Sequence, residues 1–188
     1  MKRLISIMFA LLLLFPFSGA LSQSSTYSLP LAAAVKAYLD SQGYTYDFDS
    51  VNGSFDFKMS LSSTLSTCDV MISMREDGFS VFAFSPISGK ASDIEGMRRV
   101  SEYLTRANYD MMVGNFEMDF TDGEILFRTA VMTSDRIPST NEIMWLVELP
   151  AVMMEEYGDG LAQVVLMNAD PKKAFDAVVG ADPVLSPL

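Results

Sequence analysis

The sequence predicts an α+β protein in which an antiparallel sheet, built from hairpins, packs against helices. Three observations lead there. Segments that alternate apolar and polar residues occur in pairs joined at Asn52-Gly53, Asp77-Gly78 and Asp122-Gly123, and such dipeptides tolerate the positive φ of tight hairpin turns. Segments with apolar residues at three- and four-residue spacing lie before, between and after these pairs. Strands grouped apart from helices mark an antiparallel sheet, not the parallel sheet of alternating βαβ units.

The chain has 188 residues and 49% hydrophobic content, enough for one domain with a sizeable core. Its first 20 residues read as a signal peptide. Lys2 and Arg3 precede the apolar run Leu4 to Phe17, and Ser18-Gly19-Ala20 offers small residues for cleavage. The run is shorter than the ~20 apolar residues of a spanning helix, and Pro16 interrupts its end, so cleavage is expected over a retained anchor. No cysteine follows the small residues, which disfavours a lipid anchor. The expected product is exported, periplasmic or extracellular, with no stable membrane anchor. Losing Lys2 and Arg3 takes the formal charge from −11 to −13. A surface of that sign repels nucleic acid and anionic membrane, so neither is expected as a partner. Solubility is the plain reading of the acidity.

Residues 21–28 read as a flexible lead-in, 29–180 as the domain and 181–188 as a tail. Leu31, Val35, Tyr38 and Leu39 predict a helix over Leu29 to Gln42, with Gly43 as its stop. In the first hairpin a two-residue Asn52-Gly53 loop sets Phe48 opposite Phe57, Asp47 opposite Lys58 and Asp49 opposite Asp56. One face then collects Tyr44, Tyr46, Phe48, Phe55, Phe57, Met59 and Leu61, and the other is acidic and solvent-facing. The second hairpin turns at Asp77-Gly78 and has less distinct faces. Val70, Ile72, Met74, Val81 and Ala83 share one side, yet Met71, Phe82 and Phe84 lie on the other. These three are expected to be covered, by a helix of the same chain or by another subunit. In the third hairpin, Phe120 is set opposite Ile125, Met118 opposite Phe127 and Glu117 opposite Arg128.

Between the second and third hairpins, Ser92-Asp93-Ile94-Glu95 reads as a capping box. Ile94, Met97, Val100, Leu104 and Ala107 form the stripe of a helix ending near Asn108. Ser139 and Glu142 start another helix with Ile143, Leu146 and Leu149 inward. Pro150 is expected to kink or restart it. Gly158-Asp159-Gly160 reads as a turn, followed by helix to Met167. Asp170-Pro171 opens a last helix that stops at Gly180.

The chain has no histidine and one cysteine. Ser-His-Asp and Cys-His catalysis, HExxH metal sites, zinc and iron–sulfur centres therefore drop out. No phosphate-binding loop or dinucleotide fingerprint appears, and no cofactor is expected. Asp47, Asp49 and Asp56 share one face and are the candidate acid/base carboxylates, against the plain reading of a solvated face. Cys68 is expected to be a buried thiol, with an intermolecular disulfide as the alternative. Of the 14 methionines, the pairs Met111-Met112 and Met153-Met154 are candidates for an adaptable docking patch, with core as the default.

The run LTRANYDMMVGNFEMDFTDGEILFRTAVMTS, followed by a loop and the helix from Ser139, resembles the core of YbjN-like domains. These share the fold of type III secretion chaperones and are sometimes labelled sensory transduction regulators. The likeness rests on Asn108 at a helix end, Gly114 and Phe116 at a strand start, the Asp122-Gly123 hairpin and Arg128. It covers roughly residues 29 to 157 and implies a compact, often dimeric α+β fold without catalytic residues. The export signal and the helical sequence beyond Pro150 depart from it. The expectation is a non-catalytic, exported protein-binding or chaperone-like module that self-associates, with Met71, Phe82 and Phe84 in its patch. The alternative is a small-ligand-binding protein with the aromatic sheet face as a pocket floor.

Overall fold

The computed structural model describes residues 26–109, 111–134 and 136–181. The expected signal segment, the first part of the lead-in and residues 182–188 lie outside the described residues. The elements are α1 Leu29–Gln42, β1 Tyr46–Asp49, β2 Ser54–Ser60, β3 Thr67–Met74, β4 Gly78–Phe84, α2 Ile94–Asn108, β5 Asn115–Met118, β6 Ile125–Met132, α3 Thr140–Met167 and α4 Pro171–Ala181. The strands form one antiparallel sheet in the order β1-β2-β3-β4-β6-β5. The fold is α+β. After α2 the chain lays β5 at the far edge, and β6 returns between β5 and β4.

One face of the sheet is core. Phe55, Ile72, Phe79, Val81, Ile125 and Phe127 meet Leu31 and Leu39 of α1, Tyr103 of α2, and Ile143, Met154 and Leu161 of α3. Ser28 caps α1 by accepting the Leu31 amide, and Gly43 ends it in the left-handed region. The lead-in is ordered at its end. Tyr27 is buried against Gly53 and its hydroxyl donates to the Ser50 carbonyl at 3.1 Å.

All three hairpins differ from the expected register by two residues. The pairs are Phe48 with Phe55, Met74 with Phe79, and Met118 with Ile125. Side chains alternate with period two, so a slip of two keeps every residue on its expected face and changes only its partners. The cause in the first and third hairpins is an aspartate four residues before the glycine. Asp49 Oδ1 accepts the Val51 and Asn52 amides at 2.8 and 3.2 Å, and Asp119 Oδ1 accepts the Thr121 amide at 2.6 Å. Gly53 (φ +71°) and Gly123 (φ +88°) close the loops by donating to the Asp49 and Asp119 carbonyls, both at 2.8 Å. An aspartate that satisfies turn amides with its own carboxylate favours this longer loop over the two-residue turn. In the second hairpin the turn residues are Glu76 and Asp77, and Gly78 already belongs to β4. The Asp77 carbonyl accepts both the amide and the hydroxyl of Thr133, at 2.7 and 3.2 Å, which ties this turn to the end of β6. Asp47 therefore faces Asp56, and Lys58 pairs with Asp69 of β3. Arg128 faces Asn115 and reaches Glu117 diagonally at 2.6 Å. Phe120 falls in the loop and is 65% exposed, not opposite Ile125.

The helices bring further corrections. Asp93, not Ser92, caps α2 by accepting the Gly96 amide at 2.9 Å, so no Ser92–Glu95 box forms. Ile94 is consequently exposed, and Tyr103 joins the inner stripe. Asn108, at the end of α2, donates to the Phe116 carbonyl and accepts the Phe116 amide at 2.9 and 2.7 Å, clamping β5. The Ser139–Glu142 capping box forms as expected. The helix it starts then runs unbroken through Pro150 to Met167. Proline has no amide hydrogen, which leaves the Leu146 carbonyl without its helical donor. The buried hydroxyl of Thr129 on β6 donates to that carbonyl at 2.7 Å instead. Gly158-Asp159-Gly160 lies within this helix, not in a turn. A side chain at Gly160 would collide with Tyr103, whose hydroxyl donates to the Tyr157 carbonyl at 2.7 Å. Asp170 caps α4 through the Lys173 amide, and that helix continues past Gly180.

Candidate functional site

The second face of the sheet is the candidate site. Two cross-strand rows describe it. The first runs Asp47, Asp56, Met71, Phe82, Arg128, Asn115, and the second Lys58, Asp69, Phe84, Leu126, Glu117. The centre is apolar and the flanks are charged. Met71, Phe82, Phe84 and Leu126 are half-buried, and the Phe82 and Phe84 rings lie 6.2 Å apart and nearly parallel. Among the described residues no helix packs on this face, because α3 lies against the opposite side of β3, β4 and β6 and α1 and α2 pack against α3. The expected cover by a helix of the same chain is thus not seen there. An open depression of about 760 Å³ lies on the β1–β2 side, lined by Asp47, Asp56, Asp69, Met71, Phe84 and Glu124 among others.

The structure brings together Met71, Phe82 and Phe84, as the alternation implied, and adds Leu126. Leu126 lies on β6, whose pairing with β4 is long-range, so local alternation does not place it beside Phe84. The available signal was the triplet Ile125-Leu126-Phe127, whose middle residue breaks the one-sided alternation.

Other candidate groups divide. Asp47 and Asp56 sit opposite each other on the open face, while Asp49, at the end of β1 on that same face, turns its carboxylate to the amides of the loop that follows. Donation from Asn52 and from the Val51 and Asn52 amides lowers the Asp49 pKa. Cys68 is buried on the core face, and desolvation pushes its thiol up to about 11. Met154 is core and Met153 partly buried, whereas Met112 is fully exposed beside the partly buried Met111. Among the described residues no group of three or more histidine, cysteine, aspartate or glutamate side chains is placed to hold a metal ion. The aromatic face of the first hairpin is largely core, with Phe55 and Phe57 buried. Beside it lies a smaller depression of about 390 Å³ between β2 and α3. At its rim Glu148 Oε1 accepts the Tyr38 and Tyr44 hydroxyls at 2.5 and 2.8 Å, and burial followed by this bonding raises both tyrosine pKa values.

Fold and site together define an α+β protein in which, among the described residues, one face of the sheet has no helix on it. No helix among the described residues is long and apolar enough to cross a membrane. No family model matches the chain, and no curated protein matches it.

Proposed function

We propose that this chain is a non-catalytic, exported module that binds a protein surface through the open sheet face, with Met71, Phe82 and Phe84 at the centre of contact. The supporting observation is that cluster itself. Contiguous large apolar groups bounded by charges, in the middle of a face with no helix on it among the described residues, have the anatomy of an interface core and rim. Kinship to YbjN-like, chaperone-like domains belongs to the same proposal. It is supported by the order of helix, hairpins, helix and hairpin and by the Asn108 clamp on the strand that begins at Asn115. Export rests on the pattern of residues 1–20, and the intact mass of the purified protein tests it, with Leu21 as the expected first residue.

The docking role is tested with a photo-crosslinking phenylalanine analogue placed at Phe82 or, as control, at Glu95 on the helical side. In the native exported fraction the Phe82 position should give a discrete adduct and the Glu95 position none. Equal labelling at both, or none at either, would remove the open face from consideration.

A second reading, small-ligand binding, is favoured by the two tyrosines that converge on Glu148 beside an open depression. A ligand bound only by the folded chain must raise its melting temperature, so a thermal-shift screen that turns up no stabiliser speaks against it.

A further inference from the structure

We infer that the partner of the open face is a cationic amphipathic segment of another protein, its Lys or Arg side chains meeting Asp47 and Asp56 while its apolar side chains cover Met71, Phe82 and Phe84. The inference rests on the docking role just proposed and adds the chemistry of the occupant.

The charges of the face decide this. The two cations that flank its apolar centre are already committed within the chain: Lys58 to Asp69, and Arg128 to Glu117 at 2.6 Å. Arg75, the third cation on this side, lies past the end of β3 beside the Glu76-Asp77 turn, away from Asp47 and Asp56. Asp47 and Asp56 are directly opposed on neighbouring strands, and among the described residues neither has a cationic partner. Among the described residues Asp56 accepts the hydroxyl of Ser54, at 3.1 Å. Like charges directly opposite each other in a sheet cost stability, and folding alone gives no reason for them. A guanidinium or ammonium group from outside removes that repulsion and forms charge-assisted hydrogen bonds.

A second copy of the chain fits less well. It brings another acidic face whose central cations, Lys58 and Arg128, are already paired, and a chain of formal charge −11 repels its own kind. Nucleic acid and anionic lipid are repelled for the same reason. A basic protein segment is attracted by the whole chain and then held by the face.

Spacing agrees. Asp56, Met71 and Phe82 lie on three successive strands of one row, so acid and apolar centre are separated by roughly 5–10 Å at ~4.8 Å per strand. That is the separation between a cationic head and an apolar side chain a few positions away on one helix or strand.

The test uses two synthetic probes and the full chain at low salt: an amphipathic peptide of Leu and Lys, and its Leu and Glu counterpart. Chemical shifts report where the peptide lands and titration reports affinity. The Leu/Lys peptide should shift Met71, Phe82, Phe84, Asp47 and Asp56 and bind about tenfold or more tighter than the Leu/Glu peptide. Asp47→Asn with Asp56→Asn, an isosteric change, should weaken it about tenfold. The equal charge change Glu95→Gln with Asp176→Asn should weaken it by less than about twofold, the screened effect of remote charges. If both peptides bind alike and Phe82→Ser weakens both, the cationic partner is refuted while the docking face stands. If the Leu/Lys peptide binds but ignores both the Asp47/Asp56 and the Phe82 changes, attraction is diffuse and both readings fail. No binding of the Leu/Lys peptide also overturns the inference, and crosslinking at Phe82 then decides the docking role separately.

Discussion

Strand β4 presents both faces of the sheet within four residues. Val81 and Ala83 are fully buried, whereas the larger and more apolar Phe82 and Phe84 between and beside them stay half-exposed. Size and hydrophobicity would rank these residues the other way. What separates them is the side on which the helices lie, and that side is chosen by the whole set of Ile72, Phe79, Ile125 and Phe127 packed in one core with residues of α1 and α3. The core face is thus explained by folding. The open face carries apolar surface that folding leaves over among the described residues, and the proposed docking role rests on that surplus.

The sharpest way to break this contrast is a pair of truncations. Phe127→Ala removes a fully buried ring and should cost ~3–5 kcal/mol in urea unfolding. Phe82→Ala, on the other face of the neighbouring strand, should stay within about 1 kcal/mol. Equal costs would mean that the open face is covered in the isolated chain, and the contrast would collapse.

A smaller effect probes how the core face holds α3. Thr129→Val keeps the shape and deletes the hydroxyl that serves the Leu146 carbonyl. A buried acceptor left unsatisfied costs ~1–3 kcal/mol. Pro150→Ala restores a helical amide donor to that carbonyl, so the cost of Thr129→Val should shrink in the Pro150→Ala background. Additive costs would show that Thr129 stabilises the chain by packing alone.

The same contrast shows what could be read from residues. Face assignment was legible in all three hairpins, because alternation fixes parity and a two-residue slip conserves it. Register was not: Asn52-Gly53 and Asp122-Gly123 look like two-residue turns, whereas Asp49 and Asp119 capture loop amides, and the spacing D-x-x-[N/D]-G is the sequence signal of that longer loop. The continuity of α3 was illegible for a tertiary reason. Only a strand partner, Thr129, makes Pro150 tolerable in a helix interior, and nothing near Pro150 announces it. The two sides of the second hairpin were legible from Met71, Phe82 and Phe84. The addition of Leu126 required the order β4-β6-β5, a long-range pairing that local pattern does not encode.

Exposed acids offer a further comparison, between those that serve the fold and those that do not. Glu142 accepts from Arg136, from the Ser139 amide and from the Ser139 hydroxyl, and these bonds, the arginine first, lower its pKa from 4.5 to about 2. A folded-state pKa below the unfolded value means stability that is complete above the unfolded pKa and drains away as pH falls toward the folded one. The melting temperature should therefore fall between pH 4.5 and 2 more steeply in the wild type than in Glu142→Gln. Parallel curves would show that the capping box contributes nothing through charge.

Asp56 is the acid on the other side of that comparison, and it should give the smallest effect and the most informative sign. It faces Asp47 across the β1–β2 pair without a cation among the described residues. Asp56→Asn keeps the shape and the bond from Ser54 and removes one of two opposed charges. Stability should rise by ~0.5 kcal/mol, the usual scale of a like-charge pair in a sheet. A loss would place Asp56 with Glu142, among the acids the fold needs. A gain in stability accompanied by weaker binding of the Leu/Lys peptide would separate the two faces cleanly, since the open face would then hold charges that folding disfavours and a partner uses.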